Sequence, residues 1–310
     1  MNLNRLIKGI FLSFFFIFLL ATGIYLAGFF DWNMSQVENN SSAGLTGSLK
    51  EEKQSGQSPY RNWEISEPEL NSVSAMSVES DLLDPDKILF EKNSQIKLPI
   101  ASLTKLMTAV VSVENYSLTQ EVSVDKKADS QEMMETDLKL GDKLSVKDLL
   151  QIMLIGSSNK SAFALSEIMG EKKFVEAMNQ KAKDLKLENT FFDDPTGLSS
   201  QNISSAEDLI KLAEYILKQH FEIAEISATK EFDLPGIGNF TNTNQLLREI
   251  SNSEIVAGKT GFTTDAKGCL LLVTKNHGEG DYLLYIILGS DDRFQEMKNL
   301  VDWVNKAYIF

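Results

Sequence analysis

The 310-residue chain is poor in cysteine, in histidine and in positive charge. A single cysteine, Cys269, excludes an internal disulfide, a cysteine-rich zinc site and a CxxC redox pair. Two histidines, His220 and His277, leave little room for a multi-histidine metal site, and a Ser/His/Asp triad would need one of them beside a suitable serine. Because Asp and Glu outnumber Lys and Arg by 44 to 30, the composition argues against binding to nucleic acid.

A long apolar segment lies near the start of the chain. Arg5 and Lys8 precede an uncharged run over residues 9–30, which at ~1.5 Å per residue is long enough to cross a ~30 Å hydrocarbon layer. The alternative is a cleaved signal peptide, whose apolar stretch is usually shorter, ~7–15 residues. We therefore predict a membrane anchor, or a signal peptide, over residues 1–30. Positive charge before the run predicts a single-pass protein in the cell membrane with its bulk outside the cytoplasm.

The rest of the chain divides into a linker and one domain. Residues 31–64 are rich in Ser, Asn, Gly, Gln and Glu, and we predict that they form a flexible linker. Residues 65–310 show apolar runs typical of one hairpin near each end, with helical periodicity between them and an amphipathic helix from about Asp292. This order predicts an α+β fold, with an antiparallel sheet flanked by helices and a helical subdomain.

Ser102 and Lys105 are the first candidate pair of nucleophile and base along the chain. They lie three residues apart on a strongly apolar predicted helix that follows Pro99. At that spacing the two side chains can reach hydrogen-bonding distance, and a neutral lysine could take the serine proton without any histidine. The pattern alone is weak, because a solvated helix face also explains it. Ser-x-x-Lys recurs at four other places: Ser94/Lys97, Ser123/Lys126, Ser157/Lys160 and Ser227/Lys230.

Two further elements follow in the chain. Ser157 and Asn159 come after Gly156 in a predicted break between helices, where a short loop could aim both side chains into a cleft. Lys259-Thr260-Gly261 occurs once, before an apolar strand run, and its glycine would let a substrate backbone lie close to the strand. A helix-capping loop and a turn before a strand are the alternatives. The three elements in this order are much more specific than any one of them.

Together these elements resemble the serine D-alanyl-D-alanine carboxypeptidases, the low-molecular-mass penicillin-binding proteins of bacterial cell-wall metabolism. The resemblance runs from about Ser74 to the C-terminus and includes residues 89–93, 101–109, 189–198, 242–244 and 258–263. It implies the penicillin-recognising transpeptidase/β-lactamase-like fold, with the active site in the seam between the sheet and the helical subdomain.

The resemblance also implies a reaction and a set of roles. The enzyme would remove the terminal D-alanine from peptidoglycan stem pentapeptides ending in D-Ala-D-Ala, β-lactam antibiotics would inhibit it, and no metal or organic cofactor would take part. The implied roles are Ser102 as nucleophile, Lys105 as base, Ser157 as proton relay, Asn159 as orienting amide, Lys259, Thr260 and Gly261 as the substrate-binding strand, and the backbone N–H groups of Ser102 and Phe262 as the oxyanion hole.

The sequence departs from the family pattern at Lys160, where relatives often carry an acidic or neutral polar residue. We expect this lysine to point to solvent; if it pointed inward, its charge would lower the pKa of Lys105 further. A β-lactamase is disfavoured, since no convincing Glu-x-x-x-Asn loop lies between Asn159 and Lys259. A signal peptidase would not explain Lys259-Thr260-Gly261. A DD-endopeptidase acting on crosslinks would use the same residues, and a non-catalytic peptidoglycan-binding protein is the alternative from another class.

Overall fold

The computed structural model describes most of the chain beyond the linker. The described ranges are residues 59–82, 86–130, 138–249, 255–276 and 282–310. The predicted anchor over residues 1–30, most of the predicted linker, and His277 lie outside them. Within these ranges no helix has both the length and the apolar character that a membrane crossing requires.

The described elements alternate between short strands and helices, with the longest strands near the two ends. The strands are β1 (Tyr60–Arg61), β2 (Ser74–Ser80), β3 (Lys87–Lys92), β4 (Leu98–Pro99), β5 (Glu121–Ser123), β6 (Lys143–Ser145), β7 (Ile203–Ser204), β8 (Glu231–Leu234), β9 (Gly238–Thr241), β10 (Ile255–Thr263), β11 (Lys267–Lys275), β12 (Tyr282–Ser290) and β13 (Tyr308–Ile309). The helices are α1 (Thr104–Asn115), α2 (Lys126–Asp129), α3 (Val146–Ile155), α4 (Asn159–Glu167), α5 (Glu171–Asp184), α6 (Ala206–Gln219), α7 (Phe221–Ala228), α8 (Leu246–Glu249) and α9 (Arg293–Ala307).

A five-stranded antiparallel sheet forms the centre of the fold. Its strand order is β10-β11-β12-β2-β3, so the two predicted hairpins, β2/β3 and β11/β12, are confirmed and lie side by side. The pairing of β12 with β2 joins them, with Leu284 opposite Val78. Strands from both ends of the domain therefore build one sheet, as predicted, and β10 is left at its edge.

Both faces of the sheet are covered, which explains why β12 reads as a continuous apolar run. Alternate residues point to opposite faces of a strand. Leu283 and Tyr285 pack in a cluster with Met297 and Leu300 of α9, whereas Leu284 and its alternate neighbours face the larger core shared with the helices. The sheet thus separates the predicted amphipathic C-terminal helix from the helical subdomain.

Helix α1 runs through the middle of the helical subdomain. Residues 104–112 of this helix are all buried, since α3, α4, α5, α6 and α7 pack around it. Helix α3 begins with a capping box, in which Ser145 and Asp148 satisfy each other's backbone N–H groups. Ser158 caps α4 and Ser205 caps α6 in the same way, through a side-chain oxygen. These caps set where the helices of the subdomain begin.

The folded body begins before the predicted boundary at residue 65. Strand β1 pairs with β13, with Tyr60 opposite Ile309. The Arg61 guanidinium lies over the rings of Trp303 (4.5 Å) and Trp63 (4.9 Å). A two-residue strand carries no periodicity that a sequence pattern could reveal, so composition alone places residues 60 and 61 in the linker.

Candidate active site

Ser102 lies at the entrance to the central helix. It sits in a 3-10 turn, Ala101–Leu103, that leads directly into α1, so it precedes the first α-helical turn in which the sequence placed it. Lys105 follows on α1, and its Nζ is 2.9 Å from Ser102 Oγ. Ser102 is half-buried, whereas Lys105 is fully buried. The spacing of three residues therefore places the partly exposed Ser102 hydroxyl within hydrogen-bonding distance of the buried Lys105 amine.

The surroundings of Lys105 suit a neutral amine. Its Nζ donates to Asn159 Oδ1 (2.8 Å) and to the carbonyl oxygen of Thr196 (2.6 Å). As an ammonium, Lys105 can donate to all three oxygens, those of Ser102, Asn159 and Thr196. Once it has lost a proton it has two N–H bonds and one lone pair, and if the N–H bonds stay on Asn159 and Thr196 the lone pair faces the Ser102 hydroxyl. Burial lowers the pKa of Lys105 from 10.5 to about 7, against the opposing effect of the Asp194 charge. Burial is therefore the main cause that makes this lysine a possible base near neutral pH.

The loop after Asp194 holds the carbonyl of Thr196 against Lys105. Asp194 accepts hydrogen bonds from the backbone N–H groups of Thr196 (2.6 Å) and Gly197 (2.7 Å). Gly197 has φ +89°, and a Cβ there would lie 2.0 Å from the carbonyl oxygen of Ala101. Only glycine allows so close an approach. The sequence reading missed the contribution of this loop; its signal was the match of residues 189–198 to the family.

The predicted break between α3 and α4 contributes the second hydroxyl. Ser157 has φ +61°, a left-handed backbone conformation that is costly for a residue other than glycine. It places Oγ 2.9 Å from Nζ of Lys259. Asn159 begins α4 and faces Lys105, as described above. The site thus contains two hydroxyl–lysine pairs, Ser102 with Lys105 and Ser157 with Lys259.

Lys259, Thr260 and Gly261 lie within β10 itself, so the alternative of a turn is excluded. A Cβ at Gly261 would lie 2.9 Å from the carbonyl oxygen of Ile100 and 3.1 Å from the nitrogen of Ser102. The glycine therefore lets the protein's own edge strand approach the turn that carries Ser102. This approach brings the N–H groups of Ser102 and Phe262, the two predicted oxyanion donors, onto adjoining backbone segments.

A third cation lies near this strand. Arg293, at the start of α9, stacks over Phe294 (4.6 Å) and lies 5.9 Å from the Phe262 ring. Among the described residues its buried Nε has no hydrogen-bond partner. The pKa of Lys259 is lowered well below its usual value by burial and also by the charges of Lys105 and Arg293. The sequence reading missed Arg293, because no local pattern links the start of the last helix to β10.

The expectation that Lys160 points to solvent is wrong. Its side chain is buried, and Nζ donates to the carbonyl oxygen of Leu138 at 2.9 Å. This backbone oxygen replaces water as the partner of the ammonium group. In the pair Ser157/Lys160 the serine turns to Lys259 instead, so the spacing does not make a second dyad there.

Of the two histidines, His220 lies within the described ranges. His220 Nε2 is 3.1 Å from Glu114 Oε1 and belongs to a carboxylate network. Within the described ranges, no group of three or more His, Cys, Asp or Glu side chains could hold a metal ion. The arrangement is a serine beside a buried amine of lowered pKa, next to a strand whose lysine and threonine can bind an anion. It suits acyl transfer to serine from a substrate that carries a negative charge.

Comparison with known proteins agrees with this chemistry. The family model described as D-alanyl-D-alanine carboxypeptidase matches residues 62–291. A D-alanyl-D-alanine endopeptidase of Escherichia coli K12 is 35% identical over 255 residues, which cover 79% of this chain and 80% of the relative. The D-alanyl-D-alanine carboxypeptidase DacF of Bacillus subtilis is 34% identical over 204 residues, 62% of this chain and 52% of the relative.

Solved structures show the same fold. Penicillin binding protein 6B of Escherichia coli superposes with a TM-score of 0.68 at 28% identity, covering 80% of this chain and 81% of that chain. Penicillin binding protein 5 of Haemophilus influenzae gives a TM-score of 0.70 at 26% identity, covering 77% and 72%. The predicted transpeptidase/β-lactamase-like fold is confirmed.

Proposed function

Since the chain belongs to the D-alanyl-D-alanine carboxypeptidase family of serine DD-peptidases, we propose that it removes the terminal D-alanine from peptidoglycan stem peptides through an acyl-enzyme on Ser102. The observation that carries this proposal is the geometry of Lys105. Its two N–H groups have fixed acceptors in Asn159 and Thr196, and its nitrogen is 2.9 Å from Ser102 Oγ. A buried amine held in this way is a base for the adjacent hydroxyl.

The first half of the reaction forms an ester. Lys105 takes the proton of Ser102 as Oγ bonds to the carbonyl carbon of the penultimate D-alanine. The N–H groups of Ser102 and Phe262 stabilise the oxyanion, a contribution of ~2.7–4 kcal/mol per donor in other enzymes. The C–N bond then breaks as the proton that Lys105 took passes to the leaving amine, with the Ser157 hydroxyl as the relay, and Lys105 is neutral again. In the second half, water attacks the ester with Lys105 again acting as base, and Ser102 regains its proton.

The substrate's terminal carboxylate would bind at β10. Lys259 and Thr260 offer an ammonium and a hydroxyl, and Arg293 adds a guanidinium near them. Opposite charge favours the protonated form of a lysine. A bound carboxylate should therefore raise the lowered pKa of Lys259 and restore its charge at the moment of binding.

A DD-endopeptidase that cuts peptidoglycan crosslinks is the second candidate. The observation in its favour is that the matched region covers 80% of the endopeptidase from Escherichia coli but 52% of the carboxypeptidase DacF. Two substrates separate the activities: a stem pentapeptide, from which a carboxypeptidase releases free D-alanine, and a crosslinked muropeptide dimer, which an endopeptidase splits into monomers. If the chain turned over the crosslinked dimer faster than the pentapeptide, the endopeptidase activity would replace the carboxypeptidase activity as the proposed function.

Penicillin acylation tests the nucleophile directly. Intact mass of the chain after incubation with a penicillin should show one drug-sized adduct on the wild type and none on Ser102→Ala. Ser123→Ala is the matched control, because Ser123 belongs to another Ser-x-x-Lys pair and is exposed on β5. An adduct that persists in Ser102→Ala, or intact drug beside unlabelled, folded wild type, would contradict the proposal.

We also propose that residues 9–30 anchor the protein in the cell membrane, with the catalytic domain outside the cytoplasm. The support is the length of the uncharged run and the positive charges before it. Fractionation of cells that express the full chain should find it in the membrane, resistant to extraction by salt. Secretion of a shortened chain would instead indicate a cleaved signal peptide.

A further inference from the structure

The tripeptide Asn242-Thr243-Asn244 contributes to the family resemblance, but it has no part in the chemistry described so far. It lies against β10. Thr243 Oγ1 and Thr260 Oγ1 are 2.6 Å apart, and either hydroxyl could be the donor. Thr260 is buried, with 4% of its surface exposed, whereas Thr243 is half-buried. Thr243 therefore contacts the hydroxyl that we propose holds the substrate's carboxylate.

The backbone around Thr243 is fixed on both sides. Asn242 is buried, and its Nδ2 donates to the carbonyl oxygens of Ser227 (2.9 Å) and Thr229 (2.8 Å). The N–H of Thr243 donates to the carbonyl oxygen of Ile155 at 3.2 Å. Ile155 is the last residue of α3, directly before the break that carries the second hydroxyl of the site. The Thr243 hydroxyl is thus held in place by neighbours that do not belong to β10.

The direction of the hydrogen bond between the two threonines follows from what Thr260 has to bind. A hydroxyl has one proton, and a carboxylate offers only acceptors. If Thr260 donates to the carboxylate, its oxygen can only accept from Thr243, so Thr243 must be the donor of this pair. In such a chain each hydrogen bond polarises the next and strengthens it.

We infer that Thr243 is a positioning residue: it donates its hydroxyl proton to Thr260 and thereby directs the Thr260 proton to the carboxylate of the substrate. The inference rests on the proposed function, because it needs an anionic substrate group at Thr260. Thr243, the middle residue of Asn242-Thr243-Asn244, thus has a role in substrate binding, whereas Asn242 holds the backbone around it.

The test compares Thr243→Val with Thr243→Ser in the full chain. Valine has nearly the shape of threonine but lacks the hydroxyl, and serine keeps the hydroxyl. Two acyl thioesters serve as substrates, one with a terminal carboxylate and one with a carboxamide in its place. Because a thiolate is a good leaving group, the rates of both reactions should be high enough to measure. Thr241→Val is the matched control, because Thr241 is an exposed threonine two positions earlier on β9.

We expect Thr243→Val to lower kcat/KM for the carboxylate substrate about tenfold, mainly through KM, since one hydrogen bond to a charged group is weakened. The carboxamide substrate should change less than about twofold, and Thr243→Ser should recover most of the loss. Equal losses with both substrates, or an equal loss in the serine and valine variants, would indicate a structural role and overturn the inference.

A double-mutant cycle with Thr260→Val separates the loss of this hydrogen bond from a general loss of stability in Thr243→Val. Once Thr260 has lost its hydroxyl, Thr243→Val should add almost no further loss for the carboxylate substrate. An undiminished second loss would overturn the inference. The penicillin adduct on wild-type Ser102 tests the proposed function separately, so an adduct combined with an unaffected Thr243→Val would reject this inference alone.

Discussion

At the scale of single residues, the proposed chemistry depends on a lysine that burial makes easier to deprotonate. Lys105 lies in the interior with a pKa of about 7, and the hydroxyl that it can deprotonate is 2.9 Å away. Burial also lowers the pKa of the second lysine, Lys259, well below its usual value, and the positive charges of Lys105 and Arg293 act in the same direction. Two ammonium groups in one buried site would repel each other, and the loss of one proton relieves that cost.

The rate of penicillin acylation should therefore depend on the protonation of Lys105. A lysine accepts a proton only in its neutral form, which predominates above its pKa, so the rate should rise with pH through about 7. Stopped-flow acylation between about pH 5 and 9 checks this. Lys105→Arg should form no adduct at any of these pH values, because a guanidinium stays protonated. Lys126→Arg, at an exposed lysine, is the control; a flat pH profile would contradict the assignment of the base.

Gly197→Ala tests the packing of the Asp194 loop. The new Cβ would lie 2.0 Å from the Ala101 carbonyl, next to Ser102, so the loop must move away. We expect a loss of about 2–4 kcal/mol in stability, from the left-handed backbone and from overpacking together, and a large loss of acylation. Gly141→Ala has nearly the same φ, +90°, with open space around it. It should lose only the backbone part, about 1–2 kcal/mol, and keep full acylation; equal effects would contradict the packing argument.

At the scale of elements, the helices of the subdomain are joined by a solvent-accessible network at the end of α1 that is farther from Ser102. Glu114 accepts from Lys181 Nζ (2.6 Å), Tyr215 hydroxyl (2.6 Å) and His220 Nε2 (3.1 Å). These partners lie on α5, on α6 and at the start of α7, so one carboxylate joins four helices. Burial raises its pKa, but the three hydrogen bonds outweigh burial and the net pKa is lowered.

This network should make stability sensitive to acid. A lowered carboxyl pKa means that the stabilisation is complete above the ordinary pKa of 4.5 and is lost as the pH falls through the lower folded value. Glu114→Gln should therefore lower Tm near pH 7 by about 2–4 °C, if the screened interactions contribute about 1 kcal/mol. The difference from wild type should shrink below about pH 4. Glu121→Gln, which breaks an exposed ion pair with Lys143, should leave Tm unchanged; a pH-independent effect of Glu114→Gln would contradict the argument.

At the scale of the whole molecule, both ends of the domain contribute to one structure. Strand β2 pairs with β12, and β1 pairs with β13 at the termini of the described body. The indole Nε1 of Trp303 donates to the carbonyl oxygen of Ser66 at 2.8 Å, and Arg61 covers the same ring. The N-terminal segment therefore stabilises the last helix.

A chain that starts at residue 65 should be less stable than one that starts at residue 59. The shorter chain lacks β1 and the cation–π contact of Arg61, together worth about 1–2 kcal/mol. With ~2–4 °C per kcal/mol for a domain of this size, Tm should fall by about 2–8 °C. Calorimetry on the two chains checks this, and Arg61→Ala in the longer chain should give part of the decrease. Equal Tm values would show that β1 adds nothing to the fold.

How much the sequence could predict depended on the range of the interaction. The hairpins and the pairing of Ser102 with Lys105 are local, so periodicity and spacing are sufficient to predict them. Lys160, Arg293 and Thr243 take their roles from contacts across the fold, where a side chain's direction depends on packing that no short pattern encodes. The predicted orientation of Lys160 is therefore wrong, Arg293 is missed, and Thr243 is matched to the family without a role.

The site around Lys105 has a consequence for when the protein becomes reactive. Its serine partner is three residues away, but the acceptors that hold its nitrogen come from positions 54 and 91 residues further along the chain. In an unfolded chain the same lysine would be solvated and protonated, and the serine beside it would be an ordinary alcohol. Folding is thus the step that would activate Ser102, and the proposed reaction with penicillin would report that the whole domain has assembled.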